Sequence, residues 1–337
     1  AKDGNYRHAT EEDLNSPKVK VEELTVIAWL WARTVASPDP AFGGVHVPLA
    51  NSFVLSSKKG AEKIVVPVVD KALSSYKFTI QSASVGSEEF ERAQSGTKAG
   101  KAQDFVCLLS GTPIQRDYIR REGKQGRLGV RLMAIVAEGS RSRIFLPPVA
   151  GMEDIAASAA SDPGVSEARG AFLSGPTPTR AMITGGVCSA YGLDSWGKLF
   201  TDRQLLALVT LCELVHDARA EIERDAIARD LPDDPTPLRE GGAGAKAYAE
   251  AVSVYLGLGV SRLADIQNSL CRWESSKTQV RNLFGRQAIP MMWDFGENNV
   301  FADAAGDYRT SLSSIIKVIE RFYPGGEGVE VNHDAQT

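Results

Sequence analysis

Residues 191–208 read YGLDSWGKLFTDRQLLAL and residues 281–295 read RNLFGRQAIPMMWDF, and these two stretches enclose the longest helical patterns of the chain. Thr201 is a favourable N-cap, and Asp202 places a negative charge in the first turn, at the positive end of the helix dipole. A first long helix is therefore predicted to open at Thr201. Its apolar positions recur at helical spacing; they are Leu205, Val209, Cys212, Val215 and Ile222.

A second long helix is predicted to begin near Ala245. Its apolar stripe ends at residues 271–273 and consists of Val252, Leu256, Gly259, Leu263, Ile266 and Leu270. Gly259 weakens a helix by roughly 1 kcal/mol relative to Ala, unless it allows another helix to approach closely. Stripes of this kind are usually core, so the pattern predicts two long antiparallel helices packed on each other.

The first half of the chain carries the strand patterns. Residues 26–35 (VIAWLWARTV) are β-branched and aromatic, and shorter strands are predicted at 52–56, 64–68, 76–80 and 105–108. Residues 130–137 and 143–146 predict a hairpin, while 82–103 is predicted to be a polar connection. Further helices are predicted at 152–161, 275–285 and 307–322. Strands followed by helices favour the α+β class.

Four regions follow from this order. Residues 1–150 form a β-rich, ribbon-like region with a basic loop, and 151–190 an irregular connection rich in Pro, Ala and Ser. Residues 191–325 form a helical region, and 326–337 a polar tail. Both ends read as cut edges, so the chain is expected to be a piece of a longer protein.

Composition narrows the class of protein. The chain has 337 residues, of which 43% are hydrophobic and 24% charged, with a net charge of −4. This is typical of a globular protein and excludes a uniformly basic binder, but it allows a local basic patch. The four cysteines are far apart and form no CxxC pair, which predicts a reducing, cytoplasmic location. No apolar run reaches eighteen residues, so no membrane span is expected.

Motifs for catalysis are missing from the sequence. It contains no GxxxxGK[ST], HExxH or GxSxG pattern, and its histidines do not cluster. Residues 39–44 (DPAFGG) partly match the acidic, glycine-containing loop of a methyl-donor site. Such a loop needs a helix after it, and strand-like residues follow here. We therefore predict no catalytic residue in this chain and no metal site.

Residues 115–131 (QRDYIRREGKQGRLGVR) are the strongest local signal for a polyanion partner. Two acidic residues stand against six basic ones, which are Arg116, Arg120, Arg121, Lys124, Arg127 and Arg131. Guanidinium groups pair with phosphates through two hydrogen bonds, so a loop of this composition could follow a nucleic-acid backbone. The alternative is a solvated surface loop, and the sequence leaves both open.

Five stretches together resemble one known family. They are WLWARTV at 29–35, the segment 110–139 beginning SGTPIQRDYIRREG, YGLDSWGKLFTDRQLLAL at 191–208, the segment 247–274 beginning AYAEAVSVYLGLGV, and RNLFGRQAIPMMWDFGENNVF at 281–301. They resemble the adenine-specific DNA methylases that contain a zinc ribbon, whose N-terminal region is domain of unknown function 1156. The resemblance runs through most of the chain and is strongest at 105–140 and 191–301.

The chain departs from this family at two points. The four zinc-binding cysteines of the family fall here on Ser37, Phe42, Cys107 and Ser110, so one thiol remains where tetrahedral zinc needs four good ligands. A degenerate ribbon without zinc is expected, with Phe42 in the metal's space. The family's methyl-donor loop lies upstream of the matched region and its Asp-Pro-Pro-Tyr tetrapeptide downstream. The chain therefore resembles the middle section of such an enzyme.

The resemblance implies that a parent protein methylates adenine N6 in DNA with S-adenosylmethionine. No cofactor is expected in this chain itself. Its expected partners are double-stranded DNA and the remaining segments of the methylase. The candidate phosphate contacts are the six basic residues of 115–131, together with Lys58 and Lys59. The alternative is a stand-alone, non-catalytic module that binds a protein partner.

Overall fold

A computed structural model describes residues 6–16, 18–100, 104–140, 142–178, 187–285 and 289–321. The protein is a mixed α and β structure, with an antiparallel β region first and the longer helices later. Within these ranges the strands are β1 (Val26–Ala36), β2 (His46–Leu49), β3 (Val54–Ser56), β4 (Lys63–Asp70), β5 (Ser75–Gln81), β6 (Phe105–Val106), β7 (Pro113–Ile114), β8 (Gly129–Ala137), β9 (Ile144–Leu146), β10 (Arg272–Glu274), β11 (Gln279–Arg281) and β12 (Asp294–Asn298). The α-helices there are α1 (Glu11–Leu14), α2 (Glu88–Ser95), α3 (Arg116–Lys124), α4 (Met152–Ser158), α5 (Pro163–Glu167), α6 (Asp202–Ala228), α7 (Ala245–Ile266) and α8 (Tyr308–Ile319).

Strand β1 is the centre of the main sheet. β8 pairs along one edge of β1 and carries β9 on its far side, while β12 and β2 pair with successive halves of the other edge. Residues of β1 are buried on both faces, which explains its nearly continuous apolar sequence. Because β12 comes from the late part of the chain, the predicted helical region completes the N-terminal sheet.

Smaller sheets surround this one. β3, β4 and β5 form an antiparallel meander, and residues 58–60 make the turn between β3 and β4. β10 and β11 form a hairpin, so the helix predicted at 275–285 is wrong. Thr278 turns the chain with φ +53°, and Val280 is then buried. Residues 279–281 therefore form a strand, in which side chains alternate between the two faces, where a helix was expected.

Three predicted irregular segments contain helices. Residues 82–103 include α2, because the Ser87 hydroxyl accepts a hydrogen bond from Phe90 N and Phe90 and Ala93 are buried. Residues 151–190, expected to be irregular apart from one helix at 152–161, contain α4 at that place and a further helix, α5, which Asp162 caps. The basic loop at 115–131 is α3 followed by the start of β8.

The longest helix, α6, begins as its sequence indicates. Thr201 and Gln204 form a reciprocal capping box, each side chain bonding the other's backbone N–H. Helix α7 ends at Ile266, before Leu270 and residues 271–273, where the predicted stripe ends. The Asn268 side chain accepts a hydrogen bond from Leu270 N and turns the chain away from the helix (3.1 Å).

The two faces of the main sheet are covered differently. One face joins the largest apolar cluster, which extends from β1 to Trp293. The other face carries a smaller cluster around Trp31, Leu132 and Phe295, covered in part by α4. Among the described residues, no helix is long and apolar enough to cross a membrane.

Candidate nucleic-acid interface

Helix α3 carries half of the eight basic candidates. Arg116, Arg120 and Lys124 follow one another at four-residue spacing and share one side of the helix. Ile119 of the same helix is fully buried and anchors α3 to the core. The Asp104 carboxylate accepts a hydrogen bond from Arg116 N (2.7 Å) and satisfies the start of the helix. The run is therefore a fixed, charged helix face and not a loose loop.

Two glycines bring α3 against the turn at 189–192. A Cβ on Gly123 would lie 2.3 Å from the Tyr191 carbonyl oxygen. Gly192 has φ +90°, and a Cβ there would lie 2.1 Å from the Gly123 carbonyl oxygen. Neither position has room for a side chain, because the obstructing atoms belong to the backbone. This contact fixes the position of α3 relative to the core.

Gly123→Ala is expected to lower the free energy of unfolding by about 1–3 kcal/mol, the usual cost of overpacking. Urea unfolding measures the change. Gly257→Ala is the matched control, since a Cβ on that α7 residue meets nothing within 4 Å and alanine favours a helix over glycine by up to about 1 kcal/mol. Equal effects of the two substitutions would contradict the close contact.

Three arginines of the interface stack on tyrosine rings. The guanidinium carbon of Arg120 lies 5.5 Å from the centre of the Tyr191 ring, and that of Arg121 lies 5.2 Å from Tyr118. Arg131 lies 5.4 Å from Tyr76. Stacking restricts the guanidinium without neutralising its charge.

Arg127, Arg116 and Lys124 differ in whether their side chains form an ion pair. Arg127 donates to both carboxylate oxygens of Glu122, at 2.7 Å each, and Glu122 is buried. These hydrogen bonds lower the pKa of Glu122 despite its burial, so Arg127 braces the end of α3. Within the described chain, Arg116 and Lys124 are exposed, and their side-chain cations form no ion pair with a carboxylate within 4 Å. These two are the cations most available to a ligand.

The other predicted contacts have separate surroundings. Lys58 and Lys59 are exposed at the turn between β3 and β4, where the Lys58 ammonium donates to Thr278 Oγ1 (2.8 Å). Arg131 lies 3.4 Å from the Glu153 carboxylate of α4. α3 thus holds four of the eight predicted contacts.

The four positions matched to zinc ligands lie on two turns. Ser37 Oγ and Cys107 Sγ are 3.3 Å apart, and Thr112 Oγ1 donates to Asp39 (3.3 Å). Burial raises the pKa of Cys107, but hydrogen bonds with Ser110 and Ser37 outweigh it, so the pKa is lowered.

Zinc does not fit these residues. One thiol, two hydroxyls and the partly buried ring of Phe42 are not a tetrahedral zinc donor set. The part of the chain that the structure describes contains no cluster of three or more His, Cys, Asp or Glu side chains arranged for a metal. Residues 39–44 lead into β2 and not into a helix, so they do not form a methyl-donor loop either.

Sequence reasoning missed the buried Arg33 of β1. Its Nε donates to the Met292 carbonyl (2.9 Å), and its Nη2 to the carbonyl and hydroxyl of Ser269 (3.0 and 2.8 Å). Burial lowers its pKa to about 10. Arg33 therefore connects β1 to two later segments. An arginine inside the apolar run WLWARTV was the signal that could have found it.

The geometry thus offers a rigid basic helix face, a pair of hydrogen-bonded turns and a buried arginine. The chain was compared with protein-family models, with curated proteins and with solved structures, and none of the three comparisons found a match.

Proposed function

We propose that this chain is the DNA-recognition or scaffolding section of an adenine-specific N6 DNA methyltransferase. Its partners are double-stranded DNA and the remaining segments of that enzyme. S-adenosylmethionine belongs to the parent enzyme, and this chain supplies no catalytic residue. The proposal places it in the cytoplasm, which agrees with four cysteines that are all unpaired.

The basic face of α3 is the observation that carries this proposal. Phosphate contacts position a protein on a duplex, and they come mostly from Arg and Lys. The side-chain cations of Arg116 and Lys124 form no ion pair among the described residues, and the stacked Arg120 and Arg121 lie between them on the same short helix. A helix held rigidly by Gly123 loses little conformational entropy when it binds.

The proposal predicts DNA binding that weakens steeply with salt, and Arg116→Glu/Lys124→Glu tests it. Losing two charge-assisted contacts is expected to weaken the affinity for a duplex by about 100-fold at low salt. The slope of log K against log salt should fall by about 2. Fluorescence anisotropy with a labelled duplex measures both quantities.

Arg229→Glu/Arg262→Glu is the matched control. It makes the same change in net charge at two exposed residues without a carboxylate within 4 Å in the described ranges. If both double variants weaken DNA binding equally, the loss comes from the change in net charge, and α3 does not contact the DNA. If the unaltered chain does not bind DNA at low salt, the recognition proposal fails for this chain.

We further propose that the turns at 37–43 and 107–112 are a zinc-ribbon-like element that has lost its metal. The support is the contact between Ser37 and Cys107 and the hydrogen bond from Thr112 to Asp39. In this proposal hydroxyl–thiol contacts hold together two turns that a metal would otherwise join.

The helical part of the proposal assigns α6 and α7 to an antiparallel scaffold. Arg219, late in α6, pairs with Glu250, early in α7. Leu211, in the first half of α6, and Val260, in the second half of α7, belong to one apolar cluster. Both the ion pair and the apolar contact are possible when α6 and α7 run in opposite directions.

A protein-interaction module is the second candidate, and one surface favours it. Helix α7 exposes four large apolar side chains, which are Tyr248, Val254, Tyr255 and Leu258. Contiguous exposed apolar surface marks association sites. Oligomerisation that is insensitive to salt and is lost in Val254→Lys/Leu258→Lys, together with no DNA binding, would select this candidate.

A further inference from the structure

A cleft of about 780 Å³ lies between the less covered face of the main sheet and helices α4 and α6. Trp29 and Trp31 of β1 form its sheet side, and Met152 and Ile155 line it from α4. None of the eight basic residues assigned to DNA lines it. The cleft is therefore independent of the proposed DNA contact.

The rim of the cleft is unusually apolar for a surface. Ile155 is 75% exposed, Phe301 is 76% exposed and Leu214 is 53% exposed, and all three line the opening. Large apolar side chains around a concave site are typical of ligand pockets, and the volume falls in their usual range.

The charged groups of the cleft neutralise each other. Arg203 donates to both oxygens of Glu297, at 2.8 and 2.7 Å, and its guanidinium lies 4.3 Å from the Trp31 ring centre. The stacked cation already occupies one face of that ring. A charged ligand would have to displace one partner of a largely buried pair, which is costly. The site therefore favours an uncharged ligand.

One polar atom beside the cleft lacks a partner. Trp31 is 3% exposed, and its Nε1–H has no acceptor among the described residues. Buried indole N–H groups usually have one. A ligand with a carbonyl or ring-nitrogen acceptor would supply it.

We propose that this cleft binds a neutral, ring-containing small molecule whose hydrogen-bond acceptor pairs with Trp31 Nε1. The rings stack against Trp29 and Phe301. Trp31 Nε1 has almost no accessible surface, so the acceptor reaches the indole N–H once the side chains that cover it shift, and the Arg203–Glu297 pair remains intact.

Two neutral naphthalene probes test the proposal on the full chain. Prodan carries a ketone acceptor, and N-phenylnaphthylamine has no carbonyl. Prodan is expected to bind saturably and about tenfold more tightly, the effect of one additional hydrogen bond. Phe301→Ala should weaken both probes, whereas Leu73→Ala, at a residue that is 74% exposed outside the cleft, should change neither.

Indole NMR signals provide a direct reading of the hydrogen bond. The chain has five tryptophans, and Trp31→Phe assigns the Trp31 resonance. Prodan should shift that N–H downfield, and N-phenylnaphthylamine should not. Ala207→Trp fills the α6 side of the cleft and should abolish binding of both probes. This variant tests the cleft if Trp31→Phe does not fold.

Three outcomes would overturn the proposal. They are the absence of saturable binding, equal effects of Phe301→Ala and Leu73→Ala, and a Trp31 signal that Prodan does not move. Self-association that blocks the probes and is lost in Phe301→Ala would instead assign the cleft to a second copy of the chain. A failure here leaves the DNA proposal untouched, because that proposal rests on α3.

Discussion

Glu297→Ala is expected to lower the free energy of unfolding by about 3–5 kcal/mol, because it removes one partner of a buried ion pair. Glu297 accepts two hydrogen bonds from Arg203, and its side chain is only 6% exposed. Without the carboxylate, the Arg203 guanidinium is a poorly solvated cation above Trp31. The loss should exceed that from any exposed ion pair.

The position of the pair explains the size of the effect. Glu297 belongs to β12 and Arg203 to the first turn of α6, so the pair joins the main sheet to the longest helix. Urea unfolding measures the loss, and Arg309→Ala in α8 is the control, because its partner Asp303 lies 3.6 Å away and both side chains are over 70% exposed. An exposed pair contributes at most about 1 kcal/mol. Similar losses in both variants would show that the Arg203–Glu297 pair does not hold β12 to α6.

A second variant distinguishes the unpaired charge left by Glu297→Ala from the Arg203–Glu297 interaction itself. Arg203→Met/Glu297→Met replaces both charges by apolar side chains, and such replacements are often neutral or stabilising. The double variant is therefore expected to be more stable than Glu297→Ala. If it were equally unstable, neither the unpaired Arg203 charge nor the vacated space would account for the loss, and the hydrogen bonds between Arg203 and Glu297 would.

Local sequence signals predicted the parts of the fold that depend on local physics. The β-branched and aromatic run at 26–35 corresponds to β1, and Thr201 caps α6, since capping requires only neighbouring residues. The hairpin of β8 and β9 also follows from alternation around a short turn. These elements carry their determinants within about ten residues.

Elements decided by distant contacts were missed or displaced. β11 forms a strand because Val280 is buried in the core, a contact that its local sequence does not reveal. β12 forms because it pairs with β1, which lies more than 260 residues earlier in the chain. Along α6 the buried positions include Leu208 and Leu211, not Val209 and Cys212. The buried stripe at Leu205, Leu208 and Leu211 is therefore rotated around the helix from the predicted one.

The candidate site shows the same division. Composition identified the basic run at 115–131, but the sequence could not rank its residues. Glu122 neutralises Arg127 from five residues away, while Glu153 approaches Arg131 from another helix. Which cations remain available depends on these contacts, and Gly123 fixes the helix through a turn almost 70 residues later.

Ser37→Cys/Phe42→Cys/Ser110→Cys is expected to bind one zinc ion tightly, if the two turns are a ribbon-like element that has lost its metal. Structural zinc contributes on the order of 10 kcal/mol or more in small sites at neutral pH. The existing contact of 3.3 Å between Ser37 Oγ and Cys107 Sγ already places two ligand positions side by side. Ser110 also hydrogen-bonds with Cys107, so three of the four ligand positions already lie together.

Cobalt substitution provides the decisive reading, because tetrahedral thiolate coordination gives intense visible absorption that octahedral sites lack. Adding Cys107→Ser to the triple variant is the matched control, since it removes one ligand and should weaken metal binding by orders of magnitude. Zinc should also raise the melting temperature of the triple variant but not of the unaltered chain. If cobalt gives no tetrahedral spectrum while the variant remains folded, the four side chains do not converge. The likeness of these turns to a zinc ribbon would then be one of sequence alone, and the recognition proposal would depend solely on α3.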